Sequence, residues 1–138
     1  MAHVERIRVR YHECDMQNVV FNANYWMYAD DAVAQWMHHS IAAEMGVDPQ
    51  GLRMVDVGFD FMLKTASGTW HRPARYGDTI DAACAVSRWG NTSFDVDVAM
   101  TVAGESVFDA TITYVSTTPG VAVATPVPDM IKRALSRD

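Results

Sequence analysis

The sequence predicts an α+β fold in which one long helix packs against an antiparallel sheet. Apolar residues have helical spacing in one long stretch that starts near Tyr25, and alternation with a period of two dominates from Met54 onward. Two turn-forming pairs, Gly90-Asn91 and Ala103-Gly104, separate consecutive alternating stretches. Strands joined by short turns pair antiparallel, and a helix followed by a run of strands is typical of the α+β class.

Length and composition predict one globular domain over residues 1–138. The chain is 49% hydrophobic and 20% charged, which excludes wholesale disorder. A net charge of −6 gives no general attraction to nucleic acid or to an anionic membrane. The sequence has no apolar run of a signal peptide or a membrane span, and Cys14 and Cys84 form no disulfide framework. We expect a cytoplasmic protein with neither nucleic acid nor membrane as a partner.

The chain is predicted to begin with a strand and a loop. Charged residues alternate with Ile7, Val9 and Tyr11 between positions 5 and 11, which indicates a strand with these three residues on its buried face. Residues 12–24 are polar and rich in Asn and Asp, so we expect a loop there.

The long helix has the clearest pattern in the chain. We expect about 20 residues, or roughly 30 Å, with Asn22 or Asn24 as the N-cap and Gly46 as the C-terminal stop. Its apolar residues recur at three- and four-residue steps, and they are Tyr25, Tyr28, Ala29, Ala32, Val33, Trp36 and Met37.

Four further strands are predicted, followed by a proline-containing linker and a short amphipathic helix over Met130–Leu135. The strands are expected at Met54–Lys64, Thr79–Trp89, Phe94–Met100 and Phe108–Tyr114. One helix covers only one face of such a sheet. We therefore expect the other face to pair with a second copy in a homo-oligomer, a dimer or a tetramer.

The loop before the helix contains the residues most suited to chemistry. Asp15 lies shortly before the helix start, where main-chain N–H groups lack intrahelical partners and the helix dipole favours negative charge. Such a place can hold an oxyanion while a carboxylate attacks a carbonyl or activates water. From the residues alone, a cap or turn role for Asp15 is the commoner reading.

Two segments resemble a known family. Pro73-Ala74-Arg75-Tyr76-Gly77-Asp78 is similar to a family element that opens a strand, and the Pro126 and Pro128 tail is similar too. The first segment matches the signature Asp-x-x-Gly-Val-Val-Tyr-His-Ala-Asn-Tyr in register at Asp15, Val19, Val20, Ala23, Asn24 and Tyr25. The chain thus resembles the 4-hydroxybenzoyl-CoA thioesterase family, a branch of the hotdog-fold acyl-CoA thioesterases.

The resemblance implies a hotdog fold, an antiparallel sheet wrapped around one long central helix, with active sites at the interface of a homotetramer or dimer. It implies that Asp15 acts as nucleophile or general base and that the main-chain N–H of Asn22 binds the thioester oxygen. Asn18 replaces the signature glycine, and asparagine is the next-best residue at positive φ. Asn22 replaces a frequent histidine, so no histidine side chain acts there.

An acyl-CoA substrate requires basic residues for its phosphates and apolar residues for its acyl group. We expect Arg72 and Arg88 to contact the phosphates; Lys64, His71 and Arg75 are further candidates, with Arg75 the least favoured. The acyl group is expected to contact Phe21, Tyr25, Trp26 and Met62. No cofactor and no metal are expected.

The leading hypothesis is an enzyme that hydrolyses a small aromatic or short to medium acyl-CoA. The alternative is an acyl-CoA-binding hotdog protein without turnover, which has no need of Asp15. A hotdog hydratase is a third option, but it typically needs a histidine near the helix start. Catalysis by Cys14 and a metal site formed with His12 are disfavoured, because no partner histidine or second ligand cluster has suitable spacing.

Overall fold

The computed structural model describes residues 3–136. Every strand pairing is antiparallel, and the sheet order is β1-β3-β4-β5-β2. The elements are β1 (Val4–Arg8), α1 (Asn24–Met45), β2 (Asp60–Trp70), β3 (Thr79–Trp89), β4 (Ser93–Val102), β5 (Glu105–Thr117) and α2 (Asp129–Leu135). The predicted α+β class, with one long helix against an antiparallel sheet, is confirmed.

Helix α1 has 22 residues and ends as predicted, because Gly46 takes the left-handed conformation at φ 69°. All seven residues of the predicted apolar face are buried. The predicted N-cap is wrong: Ala23 is the cap, and Asn24 already belongs to the helix. The side-chain amide of Asn24 instead donates to the carbonyl of Glu13 at 2.8 Å. Asn24 therefore joins the helix to the preceding loop rather than capping it.

The inner face of the sheet forms the core with α1. Phe94, Met100, Phe108 and Ile112 are fully buried there, as their period-two spacing predicts. The outer face is polar, with Asp97 accepting hydrogen bonds from the hydroxyls of Ser87 and Thr111. On β3 and β4 its exposed apolar side chains are small, and they are Ala83, Ala85 and Ala99. Larger exposed apolar side chains lie elsewhere, along the edge strand β2 and beside the helix start.

Two predicted strand boundaries are wrong. Strand β1 ends at Arg8, and Tyr11 lies in a short 3-10 turn with 81% of its surface exposed. Strand β2 begins at Asp60 rather than Met54, which lies in another 3-10 turn. Gly58 has φ 78°, and this left-handed residue interrupts the extended chain that the alternation indicated.

The remaining boundaries agree closely with the sequence. Strand β3 spans Thr79–Trp89 as predicted, and α2 spans the predicted amphipathic segment. Ala103 and Gly104 both have positive φ, which matches the right-handed twist of the β4–β5 hairpin. None of the helices in the described part of the chain has the length and apolar content of a membrane crossing.

Candidate active site

The Asp15 loop is a tight turn closed by its own main chain. The Asp15 N–H donates to the Val19 carbonyl at 2.9 Å, and the Asn18 N–H donates to the Asp15 carbonyl at 3.0 Å. Asn18 has φ 61°, so the conformation predicted for this departure from the signature is confirmed. The Asp15 carboxylate accepts from the Gln17 N–H at 2.8 Å. Within residues 3–136 no cation pairs with it, and the side chain is exposed.

The two motifs that carried the family resemblance contact each other. The Val20 N–H donates to the Ala74 carbonyl at 2.9 Å, and Val19 forms an antiparallel bridge with Arg75. The Ala74 N–H donates to the buried hydroxyl of Tyr25 at 3.0 Å. The downstream motif therefore fixes the position of the Asp15 loop against the first turn of α1.

The helix start leaves two main-chain donors open. The amides that follow Ala23 donate to carbonyls three residues back, in the pairs Asn24–Phe21 at 2.8 Å, Tyr25–Asn22 at 3.4 Å and Trp26–Ala23 at 3.2 Å. The Phe21 N–H donates to the Glu13 carbonyl at 2.9 Å. The N–H groups of Asn22 and Ala23 have no partner among residues 3–136. Two adjacent unpartnered donors at a helix start favour a bound anionic oxygen.

Glu13 fastens the loop to the helix. Its carboxylate accepts from the Arg10 N–H at 2.8 Å, from the Arg10 guanidinium at 2.8 and 3.2 Å, and from the Tyr28 hydroxyl at 2.9 Å. Burial acts to raise the pKa of this carboxyl, but these hydrogen bonds outweigh burial and the pKa lies below its ordinary value. Glu13 is therefore a charged anchor two residues before Asp15.

Cys14 has the wrong environment for a nucleophile. Burial and the nearby carboxylates of Asp15 and Glu13 raise the pKa of the Cys14 thiol. The thiolate is the reactive form, so this environment disfavours it at neutral pH.

Asp15 and Asn22 line separate clefts of the single chain. Asn22 shares a cleft of about 260 Å³ with Val19, Tyr25, Trp70 and Arg72. The Asp15 cleft, of about 380 Å³, is lined by Tyr11, His12, Cys14, Asp15, Met16 and Asn18. The short Val19-Val20 segment connects them along the chain. Arg72 is thus placed beside Asn22, although its guanidinium pairs with the Glu105 carboxylate.

The predicted aromatic contacts have different environments. Phe21 is half exposed, whereas Tyr25 is buried with its ring 5.2 Å from Phe108. Trp26 packs edge-on against Phe108 and Trp70, at 5.2 and 6.3 Å. Tyr25 therefore contributes mainly to the core and to the wall of the Asn22 cleft.

Two predicted substrate contacts are not brought to these clefts within one chain. Met62 lies on β2 eight positions before Trp70, about 26 Å away along an extended strand. Arg88 lies nine positions after Thr79 on β3, about 30 Å from the start of that strand. Its guanidinium donates to both oxygens of Asp95 at 2.9 and 3.1 Å.

Sequence reasoning missed Glu13 and Trp70. The three-residue spacing of Arg10 and Glu13 was a signal for an ion pair, but nothing local indicates that Tyr28 completes it. For Trp70, the signal in the sequence was Gly68, a glycine inside a strand. The structure gives the reason for this glycine, because a Cβ there would lie 2.7 Å from Phe108 and 3.0 Å from Trp26. A glycine inside a strand thus marked the point where the aromatic cluster approaches the sheet.

A five-stranded antiparallel sheet around one long helix defines the hotdog class, and the loop before the helix start holds its candidate site. The chain belongs to the thioesterase-like superfamily, whose family model matches residues 9–135. This membership confirms the family resemblance noted in the sequence and the predicted enzyme class, a thioesterase of the hotdog fold.

Solved structures share the fold at low sequence identity. A gentisyl-coenzyme A thioesterase is 19% identical with a TM-score of 0.78, over 97% of this chain and 100% of that chain. A 1,4-dihydroxy-2-naphthoyl-CoA thioesterase from Synechocystis is 18% identical with a TM-score of 0.74, over 98% and 96%. A protein from Thermus thermophilus is 22% identical with a TM-score of 0.80, over 98% and 97%. No curated protein matches the chain significantly.

Proposed function

We propose that this chain, as a single hotdog domain, hydrolyses the thioester of a small aromatic or short to medium acyl-CoA to the free acid and CoA. The observation that carries the proposal is the pair of unpartnered N–H groups at Asn22 and Ala23, seven residues from a carboxylate that no cation neutralises. The aromatic acyl-CoA substrates named for two structures of the same fold agree with this substrate class.

The helix start is suited to the charge that develops during thioester cleavage. Attack on the carbonyl carbon places negative charge on its oxygen, and the Asn22 N–H is proposed to donate to that oxygen. One such donor is worth on the order of 3 kcal/mol in the transition state. The fixed position of Phe21 and Asn24, both bonded to the Glu13 carbonyl, keeps the Asn22 peptide in one orientation.

Asp15 is proposed as the nucleophile or as the general base for water. Its carboxylate keeps only the Gln17 N–H as a partner among residues 3–136, so it remains open to a reacting group. A thiolate leaving group is a weak base with a conjugate-acid pKa of about 8.5, so its departure needs no strong general acid.

We propose that active sites form at the interface of a homo-oligomer. Strand β2 is an edge of the sheet with 11 residues, and it exposes Met62, Leu63 and Trp70. A long apolar edge promotes pairing with another chain. Met16 and Phe21 are exposed as well, in the loop that carries Asp15 and leads into the helix start. A second copy seated there would bring its own residues next to Asp15.

The test is hydrolysis of a panel of benzoyl, hydroxybenzoyl and straight-chain acyl-CoAs, followed by a thiol-detecting reagent. We expect Asp15→Asn to lower kcat by at least about 10³-fold, since it removes the reacting carboxylate while keeping its shape. Asp56→Asn is the matched control, because Asp56 lies in the 3-10 turn before β2 and pairs with Arg53.

Near-normal turnover by Asp15→Asn would remove Asp15 from the mechanism. Retention of intact acyl-CoA by the unmodified protein, with no thiol released from any panel member, would instead identify an acyl-CoA-binding protein. Sedimentation of both variants separates a catalytic loss from a change in oligomeric state.

A further inference from the structure

Most arginines in the structure are neutralised, and the exceptions lie together. Among residues 3–136, six arginines have a carboxylate partner within 4.0 Å, and they are Arg6, Arg10, Arg53, Arg72, Arg88 and Arg133. Arg8 and Arg75 have none, although both are exposed. The Asp78 carboxylate, three residues after Arg75, accepts from the Arg75 main-chain N–H at 2.8 Å. In a chain with net charge −6, two arginines without an acidic partner are candidates to bind an anionic ligand.

Two exposed tyrosines lie beside these arginines. The rings of Tyr11 and Tyr76 meet edge to face with centroids 6.0 Å apart, and they are 81% and 49% exposed. The Arg8 guanidinium lies 5.9 Å from the Tyr76 ring centroid. Arg75 directly precedes Tyr76 in the chain. An exposed tyrosine face flanked by guanidinium groups suits a purine ring and its phosphates, through stacking and charge-assisted hydrogen bonds.

This surface adjoins the proposed site. Tyr11 and Asp15 line the same cleft, and Arg75 bridges to Val19 at the base of the Asp15 loop. The Val9 N–H donates to the Asp78 carbonyl at 2.9 Å, which holds the end of β1, and with it Arg8, against the turn that contains Tyr76. A ligand whose thioester reaches Asp15 through this cleft can therefore leave its distal end on the tyrosine pair.

We propose that Arg8, Arg75, Tyr11 and Tyr76 form the site for the adenosine phosphate end of the CoA substrate. This inference rests on the proposed function, and it differs from the sequence-based expectation for Arg72 and Arg88. The two guanidinium groups contact the phosphates, and the exposed face of Tyr11 stacks on the purine.

The experiment compares two thioesters of the same acyl group, one on CoA and one on N-acetylcysteamine, which lacks the nucleotide. We expect Arg8→Gln and Arg75→Gln each to raise KM for the acyl-CoA about tenfold, the loss of one charge-assisted contact. Tyr11→Leu raises it about fivefold through lost stacking. The N-acetylcysteamine thioester keeps its kcat/KM within about twofold in these variants. The control Arg53→Gln changes neither substrate.

Adenosine 3′,5′-bisphosphate provides a second measurement without turnover. We expect it to inhibit the unmodified protein competitively and to bind the Arg8→Gln, Arg75→Gln double variant at least about tenfold more weakly by calorimetry. Equal losses with both thioesters, an unchanged KM for acyl-CoA in the double variant, or equal bisphosphate affinity would overturn the proposal. Failure of the proposed function itself is distinct, because bisphosphate binding is measured independently of any hydrolysis.

Discussion

The two ends of strand β3 differ in how completely their polar groups are partnered. At the β3–β4 hairpin, the Arg88 guanidinium donates to Asp95 and Ser93, and Asp95 also accepts from the Thr113 hydroxyl. At the other end, beside the helix start, the Asn22 N–H and the Arg8 guanidinium lack comparable partners within residues 3–136. The polar groups at the hairpin end are paired with one another, and we call them the closed network. The polar groups named at the helix-start end are unpaired, and we call them the open groups.

This contrast indicates where a ligand gains the most binding free energy from its hydrogen bonds. A polar group already bonded to protein must exchange one hydrogen bond for another, so a ligand gains little from it. A main-chain donor at a helix start and a carboxylate without a cation keep their full capacity for a reacting group. The hydrogen bonds from Arg10 and Tyr28 to Glu13 have a different role, because they hold these open groups in place.

A large loss of activity, smaller only than that expected for Asp15→Asn, comes from removing the open donor. Asn22→Pro deletes the N–H, and we expect kcat to fall about 10²–10³-fold because the oxyanion loses its donor. Asn22→Ala is the matched variant, since it removes the side chain but keeps the N–H, and its loss stays below about tenfold. Steady-state kinetics with one acyl-CoA compare the two. Equal losses would show that the Asn22 N–H is not the donor.

A smaller effect, on stability, is expected at Glu13, which holds the Asp15 loop against α1. Glu13→Gln removes the charge that Arg10 and Tyr28 contact, and we expect a loss of about 1–3 kcal/mol in the free energy of unfolding at pH 7. Because the native pKa of Glu13 lies below its ordinary value, its ionised form stabilises the fold. That contribution is present above the unfolded pKa of about 4.3 and is lost as pH falls through the native pKa.

Urea unfolding at pH 7 and pH 3 measures this difference. The stability gap between the unmodified protein and Glu13→Gln narrows as the pH falls. Glu105→Gln is the control, because Glu105 forms an exposed pair with Arg72 and contributes less than about 1 kcal/mol. A gap that stays constant between the two pH values would contradict the assigned charge of Glu13.

The smallest effect is expected in the closed network. Arg88→Ala breaks an exposed ion pair with Asp95, so we expect a stability loss below about 1 kcal/mol and a KM for acyl-CoA within about twofold of normal. A KM increase of tenfold or more would contradict the contrast between the two ends. It would instead support the sequence-based expectation that Arg88 contacts the phosphates, which then requires a second copy to bring it to the site.

Much of the fold was predictable because its signals are local. The spacing of Tyr28, Ala32 and Trp36 follows from a helix with one buried side, and the alternation of Phe94, Val96 and Val98 follows from a strand with one buried face. The ends of the strands were harder to predict. Tyr11 continued the alternation of β1, yet the chain turns before it, because the end of β1 is held by the distant turn at Asp78.

The candidate site was predictable only in part. The motif predicted Asp15 and Asn22 as candidate site residues and the positive φ of Asn18, all within one short segment. It gave neither Glu13 as an anchor nor the grouping of Arg8 with Tyr76, because these contacts join residues 15 and 68 positions apart. The expected role of Arg88 came from residue type alone, and residue type does not reveal whether a cation is already paired.

The sequence by itself determined the α+β class, the register of the inner and outer faces and the loop that carries Asp15. These features depend on periodicity and on turn-forming residues, which act over a few positions of the chain. The tertiary structure alone decided which polar groups are satisfied and which remain open. That property depends on partners brought from distant segments, such as Tyr28 to Glu13 and Ala74 to Val20, and no local pattern encodes it.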